Sequence, residues 1–203
     1  MRILKLAKNN SAEIIKSAVK VLRAGGVIAY PTETAYGLGA DFLNPVAIKK
    51  VYQIKGRLCK KPLSAIAADL KMAKKLVKFD EFSLALAKKY WPGPLTLIVG
   101  KIGLRISANK LAAGIVKKLG RPITATSANL TGQGEFYAAA KIIEQFHNKK
   151  QQPDLIIDAG SLPKNKVSTV ARVIGDKIKI LRRGKILPSR VIARSRATRQ
   201  SRY

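Results

Sequence analysis

Apolar positions along the chain switch repeatedly between helical spacing and short unbroken runs. Ile14, Ile15, Ala18 and Leu22 share one face of a helix that starts at a cap, Asn10 or Ser11, and runs to about Ala24. Gly25-Gly26 ends it, because glycine tolerates the left-handed conformation that follows a helix. Val27-Ile28-Ala29-Tyr30 is continuously apolar and predicts a buried strand. Pro31, without an N–H, stops the ladder. Asn44-Pro45 is a cap followed by a first-turn proline, opening a helix to about Lys55 that Gly56 closes. A strand from Leu63 to Ala68, a helix capped by Asp69 and a helix from Glu81 to Tyr90 follow. Trp91-Pro92-Gly93-Pro94 is a rigid turn. Leu95–Val99 and Leu104–Ser107 are strands too close in sequence for a helical crossover, which predicts a hairpin. A helix from Lys110 to Leu119, a strand from Pro122 to Thr126 and a helix from Tyr137 to Phe146 come next. Leu155–Ile157, Val170–Ile174 and Ile178–Leu181 are the last strands. This alternation predicts an α/β domain with a central mixed sheet covered by helices.

The pattern stops near residue 184. Lys185, Arg190, Arg194, Arg196, Arg199 and Arg202 follow without an acid, and no core spacing extends beyond Ile186-Leu187. The expected division is a domain over 1–184 and a mobile basic extension over 185–203. Hydrophobic residues make up 47% of the 203, enough for a core and against a wholly disordered chain.

Charge changes the picture of the partner. Forty lysines and arginines oppose 11 acids, for a net charge of +29. An excess of that size points to an anion: nucleic acid, nucleotide or anionic membrane surface. One cysteine, Cys59, excludes an intrachain disulfide and a multi-cysteine zinc site. One histidine, His147, leaves no Cys/His metal cluster and argues against a Ser-His-Asp triad. No run of eighteen apolar residues predicts a transmembrane helix. The lysine-interrupted N-terminus is not a signal peptide, so a reducing cytoplasm is the expected compartment.

Nucleotide-site templates fail first. There is no G-x-x-x-x-G-K-[ST], and Gly37-Leu38-Gly39 lacks the third glycine of a dinucleotide fingerprint. Three segments at strand ends are instead rich in hydroxyl and amide groups: 31–39, 124–129 and 167–170. Ligands of α/β sheets sit outside strand ends, where such groups orient a polar substrate. Any one segment alone is better read as helix caps and strand filler. Lys55-Gly56-Arg57, followed by Lys60-Lys61-Pro62, places two cations about a glycine after a helix. Both can face one pocket and clamp phosphate, although in so basic a chain a solvated charge run competes. Arg105 lies between Leu104 and Ile106 in a strand and points to the opposite face, toward a carboxylate ligand or as an edge-strand charge. Arg182-Arg183-Gly184 closes the last strand as phosphate clamp or surface. Glu33 and Asp41 are too isolated in sequence to assign as acid–base groups. His147 reads as a capping or solvated residue, Cys59 as no nucleophile, and Trp91 as a packing anchor.

Together these segments resemble the threonylcarbamoyl-AMP synthase family, whose core is the YrdC-like domain. The elements that carry the resemblance are Tyr30-Pro31-Thr32-Glu33-Thr34-Ala35-Tyr36-Gly37-Leu38-Gly39 and Lys55-Gly56-Arg57 with Lys61-Pro62-Leu63. Trp91-Pro92-Gly93-Pro94-Leu95-Thr96, Arg105, Ser127-Ala128-Asn129, Ser168-Thr169-Val170 and Arg182-x-Gly184 follow in the family's order. The resemblance implies a single YrdC-like domain, a twisted mixed sheet flanked by helices with a basic concave face, in a short form without the family's extra C-terminal domain. It implies a nucleotidyltransferase that makes threonylcarbamoyl-AMP and pyrophosphate from L-threonine, bicarbonate or CO₂, and ATP. A partner threonylcarbamoyl transferase complex then modifies a tRNA adenosine next to the anticodon. The implied threonine contacts are Thr34, Arg105, Ser127 and Ser168. The implied ATP contacts are Arg57, Lys61, Asn129 and Arg182, with Lys55 and Arg57 the catalytic cations by the phosphates. Mg²⁺ would arrive on ATP, held by phosphates and water rather than by a protein cage. At Lys61 some members carry asparagine, Ile66 stands where some carry a histidine, and Gly132-Gln133-Gly134-Glu135 departs from a proline- and serine-rich stretch. The alternative is a non-catalytic RNA-binding or ribosome-assembly protein, which the charge favours and for which tRNA or double-stranded RNA is the partner. A carbamoyl-phosphate-using transferase is a third reading.

Overall fold

The computed structural model describes residues 1–56 and 62–188. In chain order the elements are β1 (Arg2–Lys5), α1 (Ser11–Arg23), β2 (Ile28–Tyr30), β3 (Gly37–Gly39), α2 (Pro45–Ile54), β4 (Ser64–Ile66), α3 (Leu70–Leu76) and α4 (Glu81–Tyr90). They continue with β5 (Leu95–Val99), β6 (Ile102–Arg105), α5 (Lys110–Leu119), β7 (Ile123–Ser127), α6 (Ala139–Phe146), β8 (Leu155–Asp158), β9 (Thr169–Ile174) and β10 (Lys177–Arg182).

Local chemistry accounts for most boundaries. Asn44 accepts from the Val46 and Ala47 N–H groups, Asp69 from Met72, Asp80 from Ser83 and Asn109 from Ala112. Each satisfies a donor that the first helical turn leaves open. Asn10 differs: its Oδ1 takes the Ala7 N–H at 2.8 Å and gives α1 no side-chain cap. Gly120, left-handed at φ 73, closes α5.

The strands form one mixed ten-stranded sheet in the order β1-β8-β2-β3-β7-β4-β6-β5-β9-β10. The expected α/β architecture is present, and the β5–β6 hairpin is antiparallel as its short connection requires. Two strands escaped the sequence reading. β1 holds only Ile3 and Leu4 between Arg2 and Lys5, pairs parallel with β8 and lies at the sheet edge, so it shows no buried run. β3 is the Gly37-Leu38-Gly39 segment, expected as loop. It pairs with β2 and β7, and its glycines are required because the Tyr30 ring covers them; a Cβ on Gly39 would stand 2.8 Å from Tyr30 Cε1. Glycine in a strand here marks a close approach rather than a turn. The hairpin's second strand also starts earlier than expected, at Ile102, after Gly100 turns with φ 60.

Strand alternation separates the core onto two faces. Ile28, Tyr30, Leu155, Ile157 and Ile66 face α1 and α5. Their neighbours Val27, Ala29 and Ile156 face α2 and α6, while Ala65 and Ala67 face α3 and α4. No helix among the described residues is long and apolar enough to cross a membrane.

Candidate active site

Several segments of the described chain line one cavity of about 340 Å³. Thr32 and Thr34 come from the segment after β2, Lys55 from the end of α2, and Arg105 from the end of β6. Ser127 and Asn129 lie at the end of β7, Ser168 precedes β9, and Arg182 ends β10. Of the site residues expected from sequence, Thr34, Lys55, Arg105, Ser127, Asn129, Ser168 and Arg182 meet here. Arg57 and Lys61 lie outside the described residues, as does Cys59.

Arg105 reaches the cavity by strand periodicity. Leu104 and Ile106 are buried in the core against α4, so Arg105 between them takes the other face. It is 5% exposed, and its Nη1 stands 3.7 Å from Glu33 Oε1. Glu33 Oε2 accepts a 2.5 Å hydrogen bond from Ser107 Oγ. Among the described residues, Glu33 Oε1 and Arg105 Nε are both buried without a hydrogen-bond partner. Thr32 shapes the neighbouring turn: its Oγ1 donates to Ala35 O at 2.7 Å and lies 3.0 Å from Thr34 Oγ1.

Lys55 is 4% exposed and bound quite differently. Its Nζ donates to Ser127 O at 2.7 Å, Asn129 O at 2.9 Å and Asn129 Oδ1 at 3.2 Å. Asn129 Nδ2 donates to Gln133 O, which ties the following loop to the same ammonium.

On the far wall, Arg182 Nε and Nη2 donate to Ser168 O at 3.1 and 2.9 Å, and Nη2 also to Ser168 Oγ at 2.9 Å. Thr96 Oγ1 lies 3.3 Å from that same Oγ. Gly184 permits the approach. A Cβ there would run into Val167 O and the Ser168–Thr169 main chain, and its N–H donates to Thr169 Oγ1. Hydrogen bonding continues into the first residues after it, from Lys185 N to Val167 O.

Burial dominates the electrostatics. It lowers the Arg182 pKa, against the opposing charge of Glu135 and with the like charge of Arg105. It raises the Tyr30 phenol, which Arg105 partly offsets and Glu33 reinforces. It pushes Tyr36 up to about 12, against the Ala159 N–H and with Asp158. Among the described residues no group of three or more His, Cys, Asp or Glu is gathered to hold a metal ion.

Sequence reasoning left several lining or supporting residues unassigned: Glu33, Thr32, Thr96, Tyr30 and Glu135. The acid between two threonines, next to a buried strand, was the available signal for Glu33. Its partners are 72 and 74 positions away, beyond any local pattern. Other residues stay structural. Asp41 pairs with Arg121 at 3.0 Å and holds the Leu43 N–H. Trp91 packs edge-on to Phe79 and donates to Leu95 O, and the exposed His147 ends α6 through its own N–H. Ile66 is wholly buried in the core beneath α5.

The chain matches the family described as "Telomere recombination" (Sua5/YciO/YrdC) over residues 20–184. The putative threonylcarbamoyl-AMP synthase of Methanocaldococcus jannaschii is 30% identical, with 96% of each chain covered. The threonylcarbamoyl-AMP synthase of Pyrococcus abyssi is 34% identical over 77% of this chain and 49% of that protein. That of Bacillus subtilis is 33% identical over 88% of this chain and 56% of that protein. The chain therefore spans about half the length of these last two relatives. Among solved structures, P. abyssi Sua5 complexed with L-threonine superposes with a TM-score of 0.82 at 32% identity, covering 91% of this chain and 58% of that one. Escherichia coli YciO gives a TM-score of 0.78 at 27% identity, with 90% and 94% covered. By the length of the family match and by relatives such as that of M. jannaschii, the chain belongs to the Sua5/YciO/YrdC family, which includes proteins named threonylcarbamoyl-AMP synthase.

Proposed function

We propose that this protein joins L-threonine, bicarbonate or CO₂, and ATP into threonylcarbamoyl-AMP with release of pyrophosphate and, when bicarbonate is the source of CO₂, of water. The product serves threonylcarbamoyladenosine modification of tRNA next to the anticodon, completed in the cytoplasm by a threonylcarbamoyl transferase complex. The observation that carries this reading is the convergence of the buried cation Arg105 with Thr34, Ser127 and Ser168 on one cavity. A largely buried guanidinium that lines the cavity suits a carboxylate ligand. Hydroxyls at Thr34 and Ser168 suit an amino acid with a hydroxyl of its own. The threonine-bound relative from P. abyssi supports this half of the site.

In the proposed reaction the threonine nitrogen attacks the carbon of CO₂ and loses a proton, giving a carbamate. A carbamate oxygen then attacks the α-phosphorus of ATP, and the bond to the β-phosphate oxygen breaks to release pyrophosphate. Attack of one anion on another is opposed by charge, so the chain contributes cations and position rather than a nucleophile. Lys55 supplies buried positive charge while its donors fix Ser127 and Asn129. Arg182, which meets Ser168 at the cavity, is the proposed nucleotide contact together with Asn129. Arg57 and Lys61 complete the phosphate contacts, and Mg²⁺ arrives on the triphosphate. Holding the reactants together can supply about 7–11 kcal/mol of barrier reduction.

Pyrophosphate release measured with ATP, L-threonine and bicarbonate tests the reading. It should require all three, and release that is independent of threonine would refute it. The net charge of +29 favours a second property, direct RNA binding. Its affinity should fall with salt at a log–log slope of about −0.7 to −0.9 per phosphate neutralised. Salt-independent binding would remove the electrostatic account.

A further inference from the structure

Glu33 sits between two cavity-lining threonines, yet its own carboxylate turns to Arg105 and Ser107. It is held from several sides. Ser107 Oγ donates to its Oε2, and the same Oγ accepts the Asn109 N–H at the start of α5. The Glu33 main-chain oxygen accepts from Asn165 Nδ2 at 3.2 Å. The remaining oxygen, Oε1, faces Arg105 at 3.7 Å, too long for a hydrogen bond.

That distance separates two jobs. A buried guanidinium with no counter-charge would be strongly disfavoured. A carboxylate bound in fork geometry would instead consume the donors that a ligand needs. Glu33 provides the charge without the fork, and Arg105 Nε is left with no protein acceptor. We infer that Glu33 is a positioning residue, which holds the Arg105 guanidinium at the cavity by charge while leaving its donors for the carboxylate of an amino-acid substrate. This rests on the proposed reading that such a carboxylate meets Arg105.

The test uses the full chain with Glu33→Ala and Glu33→Gln. Glutamine keeps an acceptor for Ser107 but removes the charge, and it serves if the alanine variant fails to fold. Threonine affinity is read by calorimetry, KM for threonine and for ATP are read separately, and the Arg105 side-chain N–H signal is followed by NMR. Arg105→Lys identifies that signal. Loss of the negative charge should weaken threonine binding about tenfold, equivalent to one charge-assisted contact, and leave KM for ATP within about twofold. The Arg105 signal should lose its protection from solvent exchange. Unchanged threonine affinity with the signal retained overturns the inference. So does a parallel rise of both KM values with a lower melting temperature, which marks a structural role alone. If the wild-type protein binds no threonine but its protected Arg105 signal disappears in Glu33→Gln, the positioning role stands and the substrate reading falls.

Discussion

Lys55 and Arg105 are both cations, both about 95% buried, and both on the wall of the same cavity, but they are built into opposite arrangements. Lys55 directs its ammonium to three oxygens of the segment after β7. Arg105 has a counter-charge at a distance and a buried N–H with no acceptor. The first arrangement fixes a loop that carries Ser127 and Asn129. The second pairs the cation by charge but gives its Nε no hydrogen-bonding acceptor among the described residues. Burial alone therefore does not tell a scaffold cation from a binding one; the account of its donors does.

The comparison is most directly broken at Lys55. Lys55→Met leaves the Ser127 and Asn129 oxygens without their donor, so unfolding free energy in urea should fall by about 3–5 kcal/mol. A loss under 1 kcal/mol would mean that the ammonium is no scaffold. Arg105→Ala should instead act on binding. Removing one charge-assisted contact of about 1.5–3 kcal/mol lowers kcat/KM for threonine roughly 10- to 150-fold. Equal losses toward ATP and threonine would dissolve the distinction between the two cations. Ser107→Ala releases one oxygen of Glu33 and sharpens the Arg105 side further. This hydrogen bond to a charged carboxylate is worth about 1.5–3 kcal/mol, and the part of it transmitted to Arg105 predicts a rise in KM for threonine of a few fold, checked by the same initial-rate assay. The smallest effect lies at alkaline pH. Tyr36 is protonated in both folded and unfolded chains below pH 10, so its contribution is fully present there. As pH rises from 10 through about 12, the unfolded chain releases the proton first, and that stability is lost. Tyrosinate absorbance should show this phenol ionising after the exposed ones, and a midpoint near 10 would contradict the burial.

Much of the scaffold was legible because its causes are local. The helix Glu81–Tyr90 and the helix Lys110–Leu119 begin and end where their capping residues and apolar spacing put them. The hairpin followed from a connection too short for anything else. β1 and β3 were not legible. One is a charged edge strand, and the other owes its glycines to a tyrosine ring that covers it. In the site, Arg105 stood out because a charge between Leu104 and Ile106 must take the opposite face of the strand. Asn10 shows the converse, since a good capping residue turned back to Ala7 instead.

Residue order and type by themselves fixed the α/β class, the excess of positive charge, the family's run of motifs and the cations and hydroxyls most suited to a nucleotide and an amino acid. Only the folded chain decided what those side chains do to one another. Glu33 and Arg105 are 72 positions apart, Lys55 and Ser127 likewise, and Arg182 meets Ser168 because β9 and β10 pair. Capping and periodicity act within a turn or two of chain, so they can be read in a line of letters. Counter-charges and hydrogen-bond partners across a cavity depend on which strand ends the sheet order brings together, and that order is a property of the whole core.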